Sequence, residues 1–311
     1  MVAQYSAFSA VTARTLYVRA IFCPTVVMLI DNIPKPILMV LRTGLALMLL
    51  AHASVNASSA ADQILQFPAS LKACGGGVVA TVLSGDRFRL KSGEFVTLAE
   101  VKAPEFWPPN APYNSWPFGR EAKLGLAAAL KGVTLELFCA QRTKTMQGDR
   151  LAHVRLTVDG WLQKKLVKEG LAYYMPRGTA PKFAQELRRA EAEARAEQKG
   201  LWSYSGLSVK RADGNELRPG WFQIIVGKVV SVSKRKERAY LNFGDDWSED
   251  FTVEIPKRLY RHFPETPDNK LGFLGKTIEV RGWVEWAGGA KIILEFADQI
   301  IIVPEGSDHS R

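Results

Sequence analysis

Twice along this chain the hydrophobic pattern spells the same order: three short β-type runs, one helical stretch, then two more β-type runs. In the first copy the runs are VVATVL (78–83), RFRL (87–90) and EFVTLAEV (94–101), with turns at SGD (84–86) and KSG (91–93) between them. Short alternating runs separated by two to four turn-forming residues predict a β-meander. A proline-rich loop (104–119) ends it, and REAKLGLAAALKG (120–132) then carries leucine and alanine at helical spacing up to a glycine stop. VTLELF (133–138) and RLAHVRLTV (150–158) are the last two predicted strands.

Two helices close this half: WLQKKLVKEG (161–170), and PKFAQELRRAEAEARAEQKG (181–200) with Phe183, Leu187, Ala190 and Ala194 on one face. Residues 204–220 read as a linker. The order then restarts with WFQIIVGKVVSVSK (221–234), RAYLNFG (238–244) and DFTVEIP (250–256), followed by a helical KRLYRHF (257–263) and a hairpin over 277–303 turning at Gly288 and Gly289. Three strands, a helix and two strands is the order of the five-stranded OB barrel, whose strand face and loops commonly meet oligonucleotides. The expected fold is mainly β with α: two OB-like barrels in series, 77–203 and 221–303, the first with additional C-terminal helices.

Composition narrows the partners. The 311 residues carry a formal charge of +10, which favours anionic ligands such as nucleic acid. Lys35 and Arg42 precede the apolar run TGLALMLLAHASV (43–55), and small-residue exits follow at Ala53, Ala57 and Ala60. That arrangement predicts a signal peptide or N-terminal extension over 1–60, a lead-in over 61–76, and a periplasmic or secreted protein, attached to a membrane only if the segment stays on as an anchor. Loss of 1–60 leaves Cys74 and Cys139, so one disulfide is possible in an oxidising compartment, and neither cysteine has C-x-x-C spacing. His153, His262 and His309 are too scattered to suggest zinc, and CGGGV (74–78) lacks the lysine and following helix of a phosphate loop.

SGDRFRL, LAEVKAPE, FGREAKLGL, QGDRLAHV, LVKEGLA and KGLW, in this order, resemble the thermonuclease (staphylococcal-nuclease-like) family over 77–203. The resemblance implies a site in which two aspartates hold calcium, a glutamate positions the attacking water and two arginines clamp the phosphate. Asp86 falls on the first metal aspartate and Glu105 on the glutamate. Lys102 stands where the second aspartate is expected, Thr97 where the first arginine is expected, and Asp149 where the second is expected, with Arg150 one residue late. An ammonium in the ligand set removes one oxygen and repels a hard cation, so an Asp86–Lys102 ion pair is expected in place of the metal, and no cofactor.

These readings predict binding of nucleic acid or of an envelope partner without efficient hydrolysis. The rival is a calcium-dependent phosphodiesterase acting on DNA or RNA through Asp86, with the metal, Glu105 and a repositioned Arg150. Candidate contacts for single-stranded nucleic acid are Arg142, Lys144 and Arg150, Tyr173 with Tyr174 as stacking rings, and Arg235 and Lys236 in the hairpin tip SKRKER, followed by Tyr240, Phe243 and Trp247. Trp283 and Trp286 offer an alternative surface for a protein partner.

Overall fold

The computed structural model describes residues 67–304 apart from 68, 113, 141–143, 157–159, 178–180, 247–248 and 267–270. The signal-peptide expectation, Arg142, Trp247 and His309 therefore lie outside the described residues. Both barrels fall within one unit, Ile64–Arg311. None of the described helices is long and apolar enough to cross a membrane.

The first barrel is built from β1 (Lys72–Ser84), β2 (Arg87–Leu90), β3 (Phe95–Leu98), β4 (Thr134–Cys139) and β5 (Arg150–Leu156). β1 runs antiparallel to both β2 and β4, β2 to β3, and β4 to β5, while a parallel β3–β5 pairing closes the sheet. One strand can serve two neighbours because β1 bends, with register shifts at Ala73/Gly76, Val79/Thr81 and Val82/Ser84. A Cβ on Gly76 would lie 2.1 Å from the Leu135 carbonyl oxygen, so the glycine run of CGGGV serves close strand pairing. The register that aligns Lys72 with Cys139 also brings Cys74 and Cys139 into a disulfide.

Phe88, Leu90, Val96, Leu98, Leu137 and Val154 fill the barrel interior at 2% exposure or less, each such burial contributing roughly 1.5–3 kcal/mol. Helix α1 (Gly119–Leu130) seals one end with Ala122, Leu126 and Leu130. A Cβ at Gly119 would sit 2.2 Å from the Glu105 carbonyl oxygen, so the glycine lets the Glu105 loop lie against the helix start. Helices α2 (Leu162–Lys168) and α3 (Pro181–Ala196) complete this half.

The second barrel repeats the topology with β6 (Phe222–Lys228), β7 (Ser231–Lys234), β8 (Arg238–Asn242), β9 (Thr252–Pro256), β10 (Thr277–Ala287) and β11 (Gly289–Ile293). The single strand expected over 221–234 is two: β6 pairs with β10 and β7 with β8. Closing a barrel requires its first strand to turn from one edge of the sheet to the other, and here the chain breaks to do so. β8–β9 is antiparallel, β9–β11 parallel and β10–β11 antiparallel, as in the first barrel. The expected helix after the third strand is a 3-10 segment, Lys257–His262, and the second arm of the expected 277–303 hairpin is two strands, β11 and Ile300–Ile302, both paired with β10.

The linker is ordered against the second barrel. Lys210–Arg211 pairs parallel to β6, and the buried Lys210 Nζ contacts Glu216 at 2.5 Å and the Ser205 carbonyl at 2.6 Å. The barrels meet over an apolar layer that includes Trp116, Tyr173, Trp202, Leu207 and Phe222, with Trp116 stacked on Trp221 at 4.4 Å. Beside that layer lies a buried ion network. Arg281 of β10 donates to Glu191 and to the Tyr174 carbonyl, both at 2.8 Å, and also pairs with Glu279. Arg195 of α3 bridges the same glutamates, at 2.9 Å to Glu191 and 2.7 Å to Glu279. Burial alone would raise the Glu279 pKa, but Arg281 and Arg195 outweigh it and hold the carboxyl well below its usual range.

Candidate functional site

Asp86 sits in the tight β1–β2 turn, where its Oδ1 accepts from Ser84 Oγ at 2.7 Å and its Oδ2 accepts from the Ala103 backbone N–H at 3.1 Å. The expected ion pair is present: Lys102 Nζ lies 3.2 Å from Asp86 Oδ2. The same ammonium lies 2.5 Å from Glu105 Oε1 and so bridges both carboxylates. Lys102 is positioned by a two-residue antiparallel ladder, Val101–Lys102 with Tyr173–Tyr174. Over it, the Trp283 ring of the second barrel lies with its centroid 5.5 Å from Nζ.

These side chains are only 8% (Asp86), 12% (Lys102) and 21% (Glu105) exposed, too little for a phosphodiester to reach all three. Burial opposes the charged lysine, but the carboxylates of Asp86 and Glu105 outweigh it and raise its pKa above 10.5. Lys102 is therefore an ammonium at neutral pH. Calcium does not fit this donor set, because a cation already occupies the space between the two carboxylates. The described residues contain no group of three or more His, Cys, Asp or Glu that could hold a metal ion.

The two positions expected to carry phosphate-clamping arginines are bonded to each other. Thr97 Oγ1 donates to Asp149 Oδ2 at 2.9 Å, and Arg87 grips the same carboxylate with Nε at 2.5 Å and Nη2 at 2.9 Å. The hydrogen bond to Asp149 is the largest influence on Arg87 and raises its pKa. Burial would raise the pKa of Asp149, but its bonds from Arg87 and Thr97 lower it. The Arg87 guanidinium is thus already neutralised, and no signal in the sequence announced the Arg87–Asp149 pairing.

Arg150, expected as a repositioned catalytic cation, instead pairs with Glu94 at 2.6 Å. Alternate strand residues point to opposite faces, so the neighbour of Asp149 is carried away from the Asp86–Glu105 pair. Tyr173 corrects a second expectation. It is 2% exposed and its hydroxyl donates to the Leu207 carbonyl at 2.7 Å, so its ring cannot stack on a base. Tyr174 is buried as well, its hydroxyl donating to Asp298 Oδ2 at 3.2 Å. Phe243 packs in the second core against Phe251.

The remaining basic candidates are accessible. Lys144 is exposed and forms a backbone bridge with Arg150, while Arg235 and Lys236 are exposed at the β7–β8 tip, one barrel away from Asp86. The structure therefore gathers Asp86, Lys102 and Glu105, separately gathers Thr97, Asp149 and Arg87, and leaves the other cations apart. Trp283 and Trp286 are both exposed in part, and the first of them covers Lys102.

No curated protein matches the chain. The model of the staphylococcal nuclease homologue family matches residues 95–204, from β3 through α3 and the turn that follows it. Thr97, Lys102, Glu105 and Asp149 lie inside the matched stretch and Asp86 just before it. The first of the two barrels thus carries, over residues 95–204, a domain of the staphylococcal nuclease homologue family.

Proposed function

We propose that the protein is exported and binds single-stranded nucleic acid without hydrolysing it, its nuclease-type site being degenerate. One observation carries this reading: the Lys102 ammonium lies within 3.2 Å of Asp86 and 2.5 Å of Glu105, beneath Trp283. A metal would have to displace a tethered cation to enter, and a threonine and a carboxylate, neither able to stabilise developing negative charge as an arginine does, stand where the two arginines are expected. Losing one preorganised charge-stabilising donor typically costs about 10² to 10³ in turnover. The family match and the excess of basic residues support nucleic acid as the ligand class. The Cys74–Cys139 bridge and the apolar run at 43–55 support an oxidising destination.

The test is a gel-shift and cleavage assay of the purified protein with labelled single-stranded DNA and RNA, in calcium and in chelator. The expected result is a shift that weakens with salt, with the oligonucleotide intact in both buffers. Calcium-dependent cleavage lost on Glu105→Gln would overturn the non-hydrolytic reading. Absence of any shift would overturn the nucleic-acid reading and leave an envelope protein as the partner.

A further inference from the structure

We infer that the surface contacting the nucleic acid lies on the second barrel, where the β7–β8 tip and the 3-10 segment Lys257–His262 form one basic face. This rests on the reading that the protein binds single-stranded nucleic acid; it adds where and by what chemistry. The two segments are separated in sequence by the whole of β9, yet the β8–β9 pairing aligns Arg238 with Pro256. The Lys257 N–H donates to the Glu237 carbonyl at 2.9 Å and the Tyr260 hydroxyl to the Arg235 carbonyl at 3.3 Å.

The charge on this face is unbalanced. Residues 234–238 and 257–262 carry seven Lys or Arg against a single acid, Glu237. Glu265 takes Lys234 at 2.5 Å, Glu254 takes Arg238 at 2.6 Å, and Glu237 faces Lys257 at 3.5 Å. Arg235, Lys236, Arg258 and Arg261 are exposed and have no carboxylate within 4.0 Å among the described residues. Among the described residues Arg258 donates only to the Leu294 and Glu295 carbonyls, at 3.5 and 3.3 Å, and Arg261 only to His262. On the first barrel, by contrast, Arg87 is held by Asp149 and Arg150 by Glu94.

The occupant follows from what accompanies the charge. The rings of Tyr240 and Tyr260 are half-buried in this region, with Lys234 5.2 Å from the Tyr260 centroid. Cations beside aromatic edges match a single strand, whose phosphates need neutralising and whose bases offer flat faces. A lipid surface fits less well, because no large apolar side chain among the described residues of this face is exposed for insertion. Long exposed cations neutralise phosphates without reading base edges, so the binding is sequence-tolerant.

The test compares the full chain with a variant carrying R235Q, K236Q, R258Q and R261Q, titrated with a labelled dT oligonucleotide at several salt concentrations. Each phosphate contact contributes about 0.7 to the log–log salt slope on a single strand, so the variant should lose about 3 from the slope and at least tenfold in affinity. A second variant, Y260A, should weaken binding with little change in slope. R89Q with K91Q, two exposed first-barrel cations outside the candidate contacts, should leave both quantities unchanged. If instead that first-barrel variant loses affinity and the second-barrel one does not, the location is wrong while the binding reading stands. No binding by the unaltered chain sinks both, and preference for phosphatidylglycerol vesicles over the oligonucleotide overturns the assignment of the face to nucleic acid.

Discussion

Replacing Lys102 with methionine removes one charge from the centre of the candidate site and leaves its shape nearly intact. Asp86 then keeps its bonds from Ser84 and Ala103, but its charge faces that of Glu105 with nothing between them. Breaking a buried pair from one side costs about 3–5 kcal/mol. The surviving bonds to Asp86, and the partial hydration of Glu105, place this case near the lower end, at about 3 kcal/mol. For a unit of this size each kcal/mol corresponds to roughly 2–4 °C, so the melting temperature should fall by about 6–12 °C. Chemical denaturation at pH 7 supplies the free energy directly, and the double variant with Asp86→Asn should recover about 1–2 kcal/mol of the summed losses. The folded-state pKa of Lys102 is raised, so its contribution is complete below pH 10.5 and is lost as pH climbs through the folded-state value. Lys102→Asp supplies an oxygen ligand in place of the cation, so calcium should raise the melting temperature of that variant and not of the parent. A loss below 1 kcal/mol for Lys102→Met, or stabilisation of the parent by calcium, would refute the account of a cation-filled site.

Two further outcomes follow from buried groups. His153 lies among Phe67, Trp161 and Phe183 with no hydrogen-bond partner among the described residues for either ring nitrogen, and burial lowers its pKa to about 3. Between pH 6.5 and 3 the unfolded chain therefore binds the extra proton, and stability falls on acidification by about 2 kcal/mol from pH 7 to pH 5. Urea midpoints across that range should show this slope, and His153→Phe should remove it; an equal slope in the variant would contradict the assignment. Arg281→Met takes the central cation from the inter-barrel network, while Arg195 still serves Glu191 and Glu279. The loss should be about 3 kcal/mol, with the second barrel separating first and an early change in tryptophan fluorescence as Trp221 leaves Trp116. A single, unshifted transition would show that the network does not join the barrels.

Local patterns made much of the architecture legible. Period-two runs, turn residues and a helix after each third strand are short-range signals, and they placed both barrels and their order. Lys102 could be set against Asp86 because the family resemblance aligns both with metal-site positions, whereas its second contact, to Glu105, was not foreseen. The break between β6 and β7 was not visible, since residues 221–234 read as one apolar run and only barrel closure demands the bend. Tyr173 looked available for stacking because its burial comes from Trp202, Leu207 and Phe222, which lie far along the chain. As a catalytic group Arg150 entered only the rival reading, one residue late on its strand, and in the fold it pairs with Glu94.

Periodicity therefore marked most of the segments that become strands, and the replaced side chains foretold that the first barrel's site would hold an ammonium. Contacts between distant residues settled the rest: which cysteine meets which, which carboxylate claims Arg87 and Arg150, and how Trp283 comes to lie over Lys102. Such pairings depend on register and on the docking of one barrel against the other. Those are set by the summed packing of many residues, so no single segment of the chain encodes them.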